Sequence, residues 1–294
     1  MGDWMPRADD AGVDRLLFRF GLPLLILTAV VGTARAQPAP AVGYGPEALP
    51  AVHTVGVLID QPPGFAATAG LGYAHTEDVL DAGDSHQRIS LRAAGGYRAL
   101  SWLGLSARLL GRLDRHSGGP DDGTDGVITE AALHARAQHG LSPQLRMGGQ
   151  LALRFPASDG IGNGLSAIST DLQGLLTLAP PSMPLHAAAL LGFRLDRARE
   201  GIDDTALLSP SDRVALGASA ANAVLLGLGV SYRIDRLDLL GEWSWDPGVG
   251  SGAPKPLESP MRISAGARYF PTDSLQVELL AAISPSARPD LSSA

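Results

Sequence analysis

From Gly64 to Ser284 the apolar residues recur at every second position, in runs of about ten residues separated by Gly, Pro, Asp and Ser. That period belongs to a β-strand whose two faces meet different surroundings. Phe65, Ala67, Ala69, Leu71 and Tyr73 share one parity, with Ala66, Thr68, Gly70 and Gly72 on the other. The next run sets Ile89, Leu91, Ala93 and Tyr97 against Arg88, Ser90, Arg92 and Arg98, and the third sets Leu103, Leu105, Ala107, Leu109 and Leu113 against Ser106, Arg108 and Arg112. The fourth places Val127, Ala131, Leu133, Ala135 and Ala137 opposite Glu130, His134, Arg136 and Gln138. Seven more runs follow, beginning near Leu145, Ile168, Leu185, Val224, Leu237, Met261 and Leu275 and ending at Ile283, so the spacing predicts eleven strands.

A soluble sandwich or a lipocalin-like barrel would also alternate. Three features point instead to strands crossing a bilayer. The apolar parity is almost free of charge, while the other carries Arg, Gly, Ser and Gln. Lys255 is the one lysine among 23 basic residues. Aromatic residues stand near the ends of the apolar faces (Phe65, Tyr73, Tyr97, Trp102, Phe155, Phe193, Tyr232, Trp243, Trp245, Tyr269, Phe270), as interfacial girdles require. Connections alternate between long (76–86, 116–126, 156–166, 197–222, 246–259) and short (99–102, 139–143, 179–184, 234–236, 270–274), which puts long loops on one side of a membrane and tight turns on the other.

Ahead of this region, Arg7, Arg15 and Arg19 precede the apolar run 20–31, which leads into Ala34-Arg35-Ala36. That order reads as a helical secretory signal peptide over residues 1–36, cleaved after Ala36. Residues 37–62 are rich in Pro and Gly and read as a linker, with a short alternating strand available at 52–60. The barrel is expected over 63–284, and 285–294 as a loop. A net charge of −7 argues against a nucleic-acid partner, and the lack of cysteine excludes disulfides and thiolate chemistry.

With its signal peptide and dyad-repeat strands, the chain resembles the Gram-negative outer-membrane β-barrel proteins over residues 63–284. The resemblance implies an up-and-down antiparallel transmembrane barrel of 11–12 strands in the outer membrane, with membrane lipid and the barrel assembly machinery as partners. Its arginine-bearing face is similar to that of narrow porins that pass acidic sugars and oligosaccharides, which implies a passive channel for small, anionic solutes.

The polar parity places Arg88, Arg92, Arg98, Arg108, Arg112, Arg136, Arg146 and Arg154 on the lumen wall of the early strands, with Arg194, Arg233, Arg262 and Arg268 later. Asp171, Asp196, Asp238, Glu242 and Glu278 would face the early arginines across the bore. Two arrangements fit: a water-filled channel whose planar guanidinium donors meet carboxylate or phosphate, or a closed lumen whose charges pair while the long acidic loops act outside.

Catalysis is not expected. His75, Glu77, Asp78, Ser85, His86, Asp114 and His116 fall at the rim with no triad spacing, and read as loop residues solvating the barrel mouth. Asp121–Gly126 lacks the twelfth-position Glu of a calcium loop, and the glycines at 160–164 have no helix after them. No metal ligand set and no cofactor are expected, and His134 and His186 read as hydrogen-bonding wall residues.

An odd strand count raises a difficulty. The first and eleventh strands would run in the same direction and could not pair antiparallel, so a gap between them is expected, as in a twelve-strand barrel truncated before its last strand.

Overall fold

The alternating runs form strands throughout, and the strands form one closed sheet. The computed structural model describes residues 24–32, 64–77, 83–118, 123–156, 168–197, 221–250, 253–272 and 275–285. Its spanning strands are β1 (Leu24–Gly32), β2 (Gly64–Glu77), β3 (Ser85–Leu100), β4 (Leu103–Ser117), β5 (Gly123–Gly140), β6 (Leu145–Pro156), β7 (Ser169–Leu178), β8 (Leu185–Leu195), β9 (Asn222–Ile234), β10 (Leu237–Trp245), β12 (Met261–Thr272) and β13 (Leu275–Ile283). The two-residue β11 (Gly248–Val249) pairs with the start of β9. Every ladder is antiparallel. Neighbours in sequence are neighbours in space from β1 to β10, β12 follows β10, and β13 returns to β1.

The faces are inverted relative to a soluble domain. Leu91, Leu172 and Leu191 on the outer surface are 63%, 64% and 64% exposed, whereas Ser90, Asp238 and Glu278 on the inner face are 0% exposed. A soluble barrel would bury the first set and solvate the second, so a lipid-facing exterior is the consistent solution. Exposed aromatics mark both edges of the band: Phe65, Tyr97, Trp102, Tyr232 and Tyr269 toward the short turns, and Tyr73 and Phe193 toward the long loops. Phe65 and Tyr73 lie eight residues apart on β2, about 20 Å along the membrane normal at the usual strand tilt. This is the architecture of an outer-membrane β-barrel.

Three details differ from the sequence reading. Strands β2 to β5 run further toward the long loops than the apolar residues do, so Asp84 stands beside the first residue of β3, and His75, His86, Asp114 and His116 lie within strands. A register shift between the pairs Leu110–Glu130 and Gly111–Ile128 leaves an extra residue in β5, a bulge that simple alternation did not include. Phe270 stacks over the Arg233 guanidinium at 4.6 Å instead of joining the lipid girdle. The Asp235–Arg236 turn between β9 and β10 is the tight two-residue connection expected there, with Asp235 at φ 51°.

The expected gap is filled from an unexpected place. β1, the core of the run read as a leader helix, lies between β2 and β13 and pairs antiparallel with both over eight residue pairs each, from Leu25 opposite Tyr73 to Gly32 opposite Ala66, and from Leu24 opposite Ala282 to Val31 opposite Leu275. Leu-Leu-Ile-Leu-Thr-Ala-Val-Val-Gly is apolar at both parities, so its pattern fits a leader core and a fully covered strand equally well. The short strand considered at 52–60, and the leader cleavage point, lie outside the described residues. Since the chain has no cysteine of its own, Ala29→Cys with Ala69→Cys, a directly opposed pair, is expected to oxidise to one disulfide detectable by mass spectrometry. A mature chain starting at Gln37 would lack the first of these residues and show no bridge.

Candidate functional site

Because alternate residues of every strand point inward, the charged parity forms the interior wall, and the register decides who meets whom. Toward the long loops, Arg88 on β3 lies opposite Asp114 on β4 and donates through Nε to Oδ1 and through Nη2 to Oδ2 at 3.1 Å. Arg112 adds a second cation 3.3 Å from the same carboxylate. One level deeper, Glu130 on β5 takes ion pairs from Arg108 on β4 and Arg154 on β6. Continuing round the same wall, Arg194 on β8 forks onto Asp171 on β7 at 2.9 and 3.2 Å, and also approaches Asp246 at 3.5 Å.

Toward the short turns the register builds a row of alternating sign. Arg233, Asp238, Arg268 and Glu278 sit side by side on β9, β10, β12 and β13. Arg233 forks onto Asp238 at 2.6 and 2.9 Å, and Arg268 donates from Nε to Glu278 at 2.8 Å. Arg136 is held by neutral partners: its Nη2 donates to Gln150 Oε1 at 2.6 Å, and Gln150 Nε2 donates to Gln173 Oε1 at 3.2 Å. Arg98 donates to the backbone carbonyls of Leu100 and Ser101, capping the β3–β4 turn.

The sequence-predicted wall residues are therefore on the wall. Arg88, Arg92, Arg98, Arg112, Arg136, Glu242 and Glu278 are buried, Arg108, Arg146 and Arg154 are half-buried, and Glu242 borders a small void with Gly229, Ser264 and Leu280. What the sequence reading misplaced is the pairing. It set carboxylates across the bore from the arginines, whereas the ion pairs above join adjacent strands, apart from the longer reach of Arg194 to Asp246 after β10. It also missed Asp114 as a wall residue. Asp114 shares the even parity of Arg108 and Arg112, which is the signal that locates it, but the apolar run stops at Leu113 and the strand seemed to stop with it.

Apolar side chains fill the space between the charged levels. Leu175, Leu190, Ala223 and Leu225, all on the inner parity of β7 to β9, form one buried cluster. Gly266 makes room for its neighbour on β13: a Cβ there would lie 2.2 Å from the Leu279 carbonyl and 2.6 Å from the Leu280 side chain. The inner face is built like a core: its arginines and carboxylates meet in strand-to-strand pairs, while some buried polar atoms, Ser90 Oγ and Ser231 Oγ among them, have no side-chain or backbone hydrogen-bond partner.

Removing one member of such a set should be costly, because the partners stay behind as uncompensated buried charge. Glu130→Gln, which deprives Arg108 and Arg154 together, is expected to destabilise the folded barrel by about 3–5 kcal/mol. Leu91→Ala, on the lipid-facing side, should cost less because lipid fills the space left. The temperature at which the folded band converts to the unfolded band on a semi-native gel measures both.

No protein-family model matches the chain, and neither does any curated protein. Among solved structures it is similar to the toluene transporter TbuX of Ralstonia pickettii, with 12% identity, a TM-score of 0.36, and coverage of 91% of this chain and 89% of that one. It is also similar to a FadL homologue of Pseudomonas aeruginosa, with 10% identity, a TM-score of 0.36, and coverage of 91% of this chain and 90% of that one.

Proposed function

We propose that this protein is an outer-membrane barrel with a closed lumen, a membrane anchor that presents its long loops at the cell surface, and that it passes no solute in this state. The observation that carries the reading is the burial of the wall itself. Arg88, Arg92, Arg262 and Arg268 are 2%, 4%, 2% and 1% exposed, although each would line the water column of an open channel. A porin keeps its interior arginines wet. Here Arg88 and Arg268 are packed against the carboxylates of Asp114 and Glu278, and a wall buried to this extent closes its own bore.

The closed reading takes the place of the arginine-lined anion channel. Fixed guanidinium donors select anions only while their hydrogen-bonding edges face water, and the pairing of Arg88, Arg154, Arg194, Arg233 and Arg268 with carboxylates turns those edges inward. A non-catalytic role fits the rim. Ser85 Oγ is hydrogen-bonded to Ser117 Oγ at 2.8 Å, while the His86 ring lies against Asp114, so hydroxyl and imidazole are engaged with different partners.

Purified barrel in a planar bilayer is expected to show no conductance steps in concentrated salt. Arg92→Ala, Arg108→Ala and Arg154→Ala combined should create steps by emptying one level of the lumen. Anion-selective steps from the unaltered protein would overturn the closed reading and restore the channel.

A further inference from the structure

We propose that His86 and His116 form a binding site for a divalent transition-metal ion of the zinc, nickel or copper class, held between their two Nδ1 atoms at the long-loop end of the lumen. The two histidines are direct cross-strand partners on β3 and β4. They are 1% and 5% exposed, with ring centroids 6.0 Å apart and planes tilted by 47°. Each presents Nε2 to a carboxylate of the other strand: His86 to Asp114 Oδ1 at 3.3 Å, and His116 to Asp84 Oδ2 at 3.7 Å. Both Nδ1 atoms are buried and lack a hydrogen-bond partner.

This crossed arrangement has a chemical consequence. In the neutral ring, a carboxylate facing Nε2 favours the proton on that nitrogen and leaves the lone pair on Nδ1 for an incoming ion. Two such lone pairs, buried and unmatched, are unfavourable unless something accepts them. A carboxylate that fixes the tautomer and ring of a histidine is also the usual outer partner of a metal-bound imidazole. The spacing fits. An ion about 2.1 Å from each nitrogen lies about 3.2 Å from each ring centre, so centroids from about 5 Å, at the tetrahedral angle, to just over 6 Å can share one ion.

Charge and ligand type narrow the class. Arg88 and Arg112 stand one and two levels deeper on the same strands, and Asp84 and Asp114 offset them one for one. Imidazole nitrogen suits zinc, nickel and copper, and does not suit calcium or magnesium. Among the described residues no set of three His, Asp or Glu forms a metal cluster, so the protein supplies two nitrogens, and water entering with the ion at the long-loop end would complete its shell. The sequence reading assigned no metal here because it placed both histidines in separate rim loops. A bound ion would pin β3 to β4 at the mouth.

Folded barrel titrated with Zn²⁺ in detergent, followed by calorimetry, should show one saturable site. His86→Gln and His116→Gln should each weaken it at least tenfold, and Asp84→Asn should weaken it tenfold or more through ring positioning. Band-shift behaviour on a semi-native gel confirms that each variant is folded. A second measurement needs no variant: Cu²⁺ with ascorbate and peroxide should add oxygen to His86 and His116 in the unaltered protein, as mapped by peptide mass spectrometry. Absence of saturable binding to the unaltered protein, oxidation directed to other histidines, or unchanged affinity in a folded His86→Gln/His116→Gln double variant would each overturn the site.

Discussion

A backbone that crosses hydrocarbon must pair every amide and carbonyl within the protein, because nothing in the lipid can do so, and this requirement governs the rest of the structure. It demands a ring of strands without an edge. In an up-and-down ring each strand must run opposite to both neighbours, so only an even number closes. Eleven period-two strands from β2 to β13 cannot meet the condition, because β2 and β13 point the same way. The intercalation of β1 between them, antiparallel to both, restores the parity. The seam is the one part of the described wall made from a segment that lies apart from the rest in sequence.

Once the ring closes, the interior becomes the place where polarity has to be resolved. Every second residue of each strand points inward, and many of these are arginine. The solution is local: Arg88 with Asp114, Arg108 and Arg154 with Glu130, Arg194 with Asp171, Arg233 with Asp238, Arg268 with Glu278. These pairs also guard the register. A slip of one residue in any ladder would turn arginines toward lipid and leave carboxylates facing aliphatic groups, so the charges specify alignment where aliphatic faces alone would permit several.

Strand number, strand position and the alternation of long and short connections were legible because each depends on a period within one segment. The pairings were not, because they depend on register between segments. Asp114 could be placed on the wall by parity, yet nothing in the sequence sets it opposite Arg88 and not across the bore. The register of β5 against β4 was hidden as well, because the single extra residue between Ile128 and Glu130 leaves no periodic trace. The histidines at the mouth were hidden for another reason. Strands continue past the membrane for several residues, and there lipid no longer imposes an apolar outer face, so the alternation that reveals them fades at His75, Gln87 and Arg115 while the ladder goes on. β1 carried no alternation at all, and its composition suited a leader as well as a strand.

The confinement of these ion pairs to neighbouring strands bears on how such a wall can be laid into a membrane. Arg88 and Asp114 belong to one hairpin, as do Asp171 and Arg194, Arg233 and Asp238, and Arg268 and Glu278, while Glu130 joins the strands on either side of it. Each of these charges therefore meets a counterpart as soon as the next strand docks, without waiting for the far side of the ring. A wall whose arginines were neutralised across the bore would carry its full charge bare until the last strand arrived. This one can grow strand by strand, with these pairs settled as each hairpin forms.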